Sequence, residues 1–343
     1  MTLPTVTIAM PAYNEERYIE ACIASVQAQD YPRDLIEILI ADGRSTDRTR
    51  DILARLAADD PRIRVVDNPA RLQAAGLGVL VKEANGDVLV RMDVHCEYAS
   101  DYVRKCVETL ERTGADNVGG AQRAKAKTAF HRALCAALDS PLGVGGAKYR
   151  STDAEGWVET VFLGAFRRKV FETIGLWDPG AITNEDADLN ERLAHAGGRI
   201  YLSRDIVVHY FPRDSLRALA KQYFRYGRGR ARTTLKLRAF TRVRPHGPFF
   251  MVVGAAALVA LPPLWPIAPL AAAAYMLATG AEAVRVGRKL GAAAIPMVWA
   301  CFPVIHASHG AGFAAGLWRY LRAPDWSAEP ERVPPRKVVL RAV

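Results

Sequence analysis

Asp93 and His95 stand two residues apart in Arg91-Met92-Asp93-Val94-His95, after the turn Asn85-Gly86-Asp87 and the apolar run Val88-Leu89-Val90. A carboxylate and a neutral imidazole at the end of a strand can hold a divalent cation, and imidazole suits Mn2+ better than Mg2+ or Ca2+. His95 can instead donate a hydrogen bond to a phosphate, and both residues can equally be polar positions opening a surface loop. Further along, Glu185-Asp186 follows Thr183-Asn184. A carboxylate there can act as general base, whereas the structural alternative is an ordinary helix start. In that case Thr183 or Asn184 caps a helix presenting Leu189, Leu193 and Ala196, and the dipole favours acids in its first turn. His209, after Ile206-Val207-Val208, reads as a core or loop histidine in preference to a further metal or phosphate contact.

Two earlier loops have the same placement as the Asp93 loop. One apolar run ends in Met10-Pro11-Ala12-Tyr13-Asn14-Glu15-Glu16 and the next in Ala41-Asp42-Gly43-Arg44-Ser45-Thr46-Asp47. In an open parallel sheet, ligands bind beyond the C-terminal ends of the strands, so all three loops converge on one crevice. A carboxylate there can accept from a nucleobase N–H or a ribose hydroxyl, and helix N-termini favour a phosphate. Neither early strand leads into a GxGxxG turn, which argues against a dinucleotide cofactor. One such loop alone would read as a turn and helix cap; three in this order point to a site.

The elements that must position these residues alternate as in a doubly covered α/β sheet. Strands are expected over 5–10, 36–40, 63–66, 88–92, 158–166 and 199–202, and helices over 15–29, 46–58, 73–84 and 185–195. At 343 residues the chain can hold one large α/β domain and something more. That addition is apolar: residues 245–281 and 290–318 contain no Asp, Glu, Lys or Arg, and about 20 apolar residues suffice to cross a bilayer. Pro262, Pro263 and Pro266 divide the first block, giving two short spans or one broken one.

The formal net charge of +10 is concentrated ahead of those blocks. Residues 213–245 hold eleven Lys or Arg and a single acid, Asp214. A basic run beside an apolar span favours the cytoplasmic, anionic-lipid side over nucleic acid as partner. Leu216, Leu219, Tyr223 and Tyr226 would be the buried stripe of an amphipathic helix there. The five cysteines form no CxxC pair, which fits a reducing compartment better than a disulfide framework. No basic-apolar-small leader opens the sequence, so the first domain is expected to stay in the cytoplasm.

The ordered set PAYNEE, ADGRSTDRT, NGDVLVRMDVH and NEDADLNERL resembles glycosyltransferase family 2 on the GT-A fold. Gln222-Tyr223-Phe224-Arg225-Tyr226 resembles that family's QxxRW element, with Tyr in place of Trp. The match runs from about residue 5 to 230. DxH, Gly164-Ala165-Phe166-Arg167-Arg168, Pro212-Arg213 and QYFRYG followed by apolar spans are similar to the membrane-associated branch that builds bacterial exopolysaccharide, of the succinoglycan glucosyltransferase type. Ala41 replaces the first Asp of the usual pair, and His95 the second Asp of the metal motif.

The resemblance implies sugar transfer from a nucleoside diphosphate, UDP expected, to an acceptor hydroxyl with inversion. It implies Mn2+ or Mg2+ held by Asp93 and His95, and donor contacts from Pro11, Ala12, Tyr13, Glu15, Asp42, Asp93, Gln222, Arg225 and Tyr226. Asp186 is the expected base, with Glu185 its neighbour. The expected layout is a mostly parallel Rossmann-like catalytic domain over 1–212, a basic interface segment over 213–245, membrane helices over 246–322 and a loose tail over 323–343. The catalytic domain would face the cytoplasm at the membrane, acting on a lipid-linked or oligosaccharide acceptor, with no nucleic-acid partner. A metal-dependent nucleotidyltransferase leaves the Glu-Asp and QxxRY segments unexplained, while Ala41 and the DxH variant keep open a non-catalytic membrane scaffold.

Overall fold

The structure is a computed structural model that describes residues 2–144, 148–151, 153–210, 212–238, 246–326 and 331–334. Residues 239–245 of the expected interface segment and 335–343 of the expected tail lie outside the described residues.

The first half-sheet follows directly from the sequence pattern. β1 (Val6–Ala12), β2 (Ile36–Asp42), β3 (Ile63–Asp67) and β4 (Val88–Arg91) are parallel, in the order β3-β2-β1-β4. α1 (Ile19–Gln27), α2 (Thr49–Asp59) and α3 (Gln73–Glu83) connect them. β1, β2 and β4 are apolar because helices cover both faces: Val6, Ile8, Ile38 and Val90 point to one core, Ala9, Leu39, Ala41 and Leu89 to the other.

The second half is mixed. β5 (Cys96–Tyr98), α4 (Tyr102–Thr113), β6 (Asn117–Ala124), α5 (Ala129–Asp139) and the short α6 (Pro141–Val144) come next. β7 (Gly156–Val158), β8 (Phe162–Arg167), α7 (Lys169–Ile174), α8 (Glu185–His195) and β9 (Ile200–Tyr210) complete it. β8 is antiparallel to β4 and β6, and β5 and β7 are antiparallel to β9, while β6 and β9 run parallel. The parallel character expected of the whole sheet therefore belongs chiefly to β1–β4. The run expected as one strand over 158–166 is two, and the strand begun at Ile200 continues to Tyr210.

α9 (Leu216–Leu237) carries the basic segment and leads to α10 (Gly247–Ala260), a tight turn at Pro262–Ile267, α11 (Ala268–Gly287) and α12 (Ile295–Arg322). The spans Pro262–Leu290 and Ala292–Arg322 are long and apolar enough to cross a membrane, and α10 is shorter. The buried face of α9 meets protein: Leu219 and Tyr223 pack with Ala133, Leu134 and Ala137 of α5 and Phe302 and Ile305 of α12. Close approach of α9 to α12 requires glycine. A Cβ at Gly227 would lie 2.0 Å from the His309 carbonyl oxygen, and one at Gly312 would lie 2.1 Å from that of Phe224. Leu216 is exposed, so the expected stripe holds only from Leu219 onward.

The start of the expected loose tail is docked. Asp325 pairs with Arg232 at 2.6 Å, the Glu331 carbonyl accepts from the Leu176 N–H at 2.7 Å, and Val333 is buried in the core beside α3 and α7.

Candidate active site

The loops after β1 and β2 are zipped together at their bases. Gly43 N–H donates to the Ala12 carbonyl, Asn14 N–H to Ser45 Oγ at 2.9 Å, and Glu15 N–H to Thr49 Oγ1 at 2.8 Å. Asn14 and Arg44 sit at φ of 55° and 57°, and Asn14 Oδ1 accepts from Thr46 N–H. Asn adopts this left-handed conformation more readily than most residues, and its side chain fastens the second loop to the first. Asp42 is buried; it accepts from Ser45 N–H at 3.2 Å and pairs with Arg50 at 3.3 Å. The local turn expected for Asp42, Gly43 and Ser45 thus forms and holds the carboxylate at the crevice. Ala12 is buried, Pro11 and Glu15 are half-buried, and Tyr13 lies exposed beside Gly43.

The third loop is fastened by Tyr98, whose hydroxyl accepts from Asp93 N–H at 2.6 Å and donates to the Asp93 carbonyl at 3.0 Å. Four contacts hold the Asp93 carboxylate. Gln73, at the start of α3, reaches both oxygens at 3.1 Å, and Arg91 reaches them at 3.0 and 3.2 Å. Burial alone would raise the Asp93 carboxyl, but Arg91, His95 and Gln73 together hold it below its usual range. His95 projects outward, half exposed, with Nδ1 4.0 Å from Glu15 Oε1. The Glu15 carboxyl is raised by burial against the opposing pull of His95.

α8 presents the acidic pair. Asn184 at φ 64° starts the helix, yet neither Thr183 nor Asn184 caps it through its side chain. Both reach across to α9 instead: Thr183 Oγ1 donates to the Arg225 carbonyl at 2.9 Å, and Asn184 Nδ2 to that of Tyr226 at 3.2 Å. These bonds correct the capping alternative and set the QxxRY segment against the acids. Within that segment Gln222 Nε2 donates to the Tyr226 hydroxyl at 3.0 Å, and Arg225 is exposed.

One side chain joins the Asp93 loop to α8. Arg91, at the end of β4, lies in contact with Asp186 Oδ1 and 3.5 Å from Glu185 Oε1 while it holds Asp93. Desolvation would push its guanidinium down, but the three surrounding carboxylates more than offset this. Trp177 Nε1 also donates to Asp186 Oδ1 at 3.1 Å, leaving Asp186 Oδ2 without a hydrogen bond among the described residues. Burial pushes the Glu185 carboxyl up to about 7, aided by Asp186 and opposed by Arg91. Asp186 is raised by burial too, again against Arg91.

Gln73, Arg91 and Trp177 were not among the residues expected from sequence. Arg91 had a signal: a cation directly after an apolar run must find carboxylates once its strand is buried. Gln73 and Trp177 had none. A carboxylate and an imidazole on one loop suit a divalent cation, although no group of three or more Asp, Glu, His or Cys is gathered for one among the described residues.

The profile of Glycosyl transferase family 2 matches residues 7–175. The succinoglycan biosynthesis protein ExoA of Rhizobium meliloti (strain 1021) is 39% identical over 246 residues, 71% of this chain and 74% of that protein. A dolichyl N-acetyl-alpha-D-glucosaminyl phosphate 3-beta-D-2,3-diacetamido-2,3-dideoxy-beta-D-glucuronosyltransferase of Methanococcus voltae is 30% identical over 65% of this chain and 71% of that one. In fold, the chain is similar to the mannosyltransferase PcManGT from Pyrobaculum calidifontis, solved with GDP-Man and Mn2+. The TM-score is 0.63 at 22% identity, over 93% of this chain and 88% of that one. The GT-A-like sheet and the matched sequence agree: the chain is a glycosyltransferase and belongs to glycosyltransferase family 2.

Proposed function

We propose that the chain is a membrane-anchored, inverting transferase that moves a sugar from a UDP-sugar to a lipid-linked saccharide in polysaccharide synthesis. The observation that carries this reading is Arg91, which joins the carboxylate of the third crevice loop to the acidic pair on α8. Donor-binding and proton-accepting groups thereby occupy one crevice, as transfer between two substrates requires.

In this reading Asp42 takes the nucleoside, with Pro11, Ala12, Tyr13 and Glu15 lining the donor side. Asp93 and His95 would hold Mn2+ or Mg2+ together with diphosphate oxygens; the bound ion would supply Lewis-acid stabilisation of the leaving diphosphate. Asp186 is the base. Arg91 and Trp177 fix its Oδ1, so Oδ2 is the atom offered to the acceptor hydroxyl. Attack by that hydroxyl on the face opposite the leaving group inverts the anomeric carbon. Gln222, Arg225 and Tyr226 close over the donor and acceptor site, with Arg225 near the phosphates. The domain boundaries at 212, 245 and 322 are part of this proposal, with α11 and α12 as anchor and the crevice on the cytoplasmic face.

Names of relatives support the substrate classes: one concerns succinoglycan synthesis, another transfer to a dolichyl-phosphate-linked sugar. The test is calorimetric binding of UDP to the detergent-purified chain with Mn2+ or EDTA, beside Asp93→Ala. Metal-dependent binding lost in the variant is expected. Binding of GDP but not UDP would overturn the donor assignment, and nucleotide binding insensitive to EDTA would overturn the metal assignment.

A further inference from the structure

Trp177 lies in a turn that the end of the chain holds on both sides. Its indole Nε1 donates to Asp186 Oδ1 at 3.1 Å, and the residue, 1% exposed, packs edge-on against Phe166. One residue earlier, the Leu176 N–H donates to the Glu331 carbonyl at 2.7 Å. One residue later, the Asp178 carboxylate accepts from Arg232 at 2.9 and 3.2 Å. That guanidinium also donates to the Asp325 carboxylate at 2.6 Å and to the Asp325 carbonyl at 3.2 Å. Asp325 and Glu331 both follow α12, so both neighbours of Trp177 are tied to the C-terminal segment.

The segment is docked by more than these bonds. Val333 is 5% exposed, in the core that also contains Leu77, Phe171, Leu176 and Trp177. Glu331 pairs with Lys82 of α3 at 2.7 Å, and the Trp326 ring centroid lies 5.7 Å from the Arg232 guanidinium. Gly175, at φ 78°, ends α7, and the Leu176 N–H beyond it takes its partner from Glu331. From α8, Arg192 donates to the Leu176 carbonyl at 2.7 Å. The turn is therefore set by α8, which carries Asp186, and by the C-terminal segment. With no regular ladder of its own, it is held only as firmly as its ties.

We propose that Asp325, Glu331 and Val333 are positioning residues for the transfer reaction. Docked, they clamp the turn around Trp177 and keep its indole on Asp186 Oδ1, so that Oδ2 stays aimed at the acceptor hydroxyl. The proposal rests on Asp186 as the base and adds the segment that orients it. Undocking leaves Oδ1 to Arg91 alone among the described residues. A carboxylate displaced by about 1 Å loses about 10² in rate.

The full chain, purified in detergent with 15N in its six tryptophans, is compared with Val333→Asp, Asp325→Ala and Val333→Ile. Trp177→Phe identifies the Trp177 indole N–H signal. Exchange of that proton with solvent is expected to be at least about tenfold faster in Val333→Asp, the factor a hydrogen bond to a charged group is worth. It is several-fold faster in Asp325→Ala, and Val333→Ile keeps the wild-type rate. With UDP-glucose as the probe donor, release of UDP slows about 10–10²-fold in Val333→Asp at unchanged UDP affinity. Adding Trp177→Phe to Val333→Asp costs little more, because both act on one contact. Unchanged indole exchange in Val333→Asp overturns the proposal, as do losses that multiply in the double variant or a loss of UDP affinity together with turnover. If Val333→Asp fails to fold, Asp325→Ala decides on the same readouts; if UDP-glucose is not a donor, the indole exchange decides. Faster exchange in the tail variants beside an Asp186→Asn that keeps its turnover supports the clamp and counts only against Asp186 as the base.

Discussion

Arg91 stands two residues before Asp93 and holds both of its carboxylate oxygens, at 3.0 and 3.2 Å, while the same guanidinium meets Asp186. Removing it leaves three buried or half-buried carboxylates without their common cation, and breaking a buried pair costs about 3–5 kcal/mol. Arg91→Gln is expected to lower thermal stability sharply. Arg91→Lys keeps the charge but loses the fork, so it should fold and turn over about 10²-fold more slowly, since misplacement by about 1 Å costs that much. Thermal denaturation with initial rates checks both; an Arg91→Lys enzyme at wild-type rate would refute the role.

Asp186→Asn retains the Arg91 and Trp177 contacts in shape but cannot take a proton. Turnover should fall about 10²–10⁴-fold, with UDP affinity within about twofold of wild type because the nucleotide contacts proposed above lie across the crevice. Rate assays beside calorimetry separate the two effects. Loss of both together would place Asp186 on the donor side.

Glu185 gives a pH signature. Its folded pKa is raised from 4.5 to about 7 by burial, with Asp186 shifted in the same direction. A carboxyl that holds its proton more firmly when folded contributes stability fully below about pH 4.5, and that contribution is lost as pH rises towards 7. In the metal-free protein, Glu185→Gln should therefore gain on wild type by about 1–3 kcal/mol between pH 4.5 and 7.5. Paired denaturation curves at the two pH values read this directly, and a difference that does not change with pH would refute it.

Gly227 has no room for a methyl group, since its Cβ would lie 2.0 Å from the His309 carbonyl oxygen. Gly227→Ala must push α9 from α12, at a cost of about 1–3 kcal/mol. Because Thr183 and Asn184 hold α9, turnover should fall as well, while UDP binding, proposed for the first half-sheet, should persist. Gly254→Ala, where a Cβ meets nothing within 4 Å, is the matched control.

How much of this was legible depended on the source of each element's burial. β1, β2 and β4 announce themselves because both faces are covered and nearly every position is apolar. β6 lies in the middle of the same sheet, yet its sequence Asn-Val-Gly-Gly-Ala-Gln-Arg-Ala has little β propensity. Its glycines answer to neighbours: a Cβ at Gly120 would lie 1.9 Å from the Ile206 carbonyl oxygen, and one at Gly119 2.8 Å from Val161. Such constraints arise from chain segments some 40–85 residues away and leave no local period. The acids of the site were legible as motifs. Gln73 and Trp177 were not, because each is defined only by what it touches.

The bonds from Thr183 and Asn184 to the carbonyls of α9 are continued by Lys236, which bridges Asp178 at 2.6 Å and Asp188 of α8 at 2.9 Å. The N-terminal turn of α8 is thus tied to α9, and α9 in turn is locked by glycines to α12. The acidic pair is therefore anchored twice, to the sheet core through Leu189 and Leu193 and to α9 through the two residues before it. A shift of α9 against the sheet would be felt first at the turn that carries Glu185 and Asp186, the turn that Arg91 ties to the Asp93 loop.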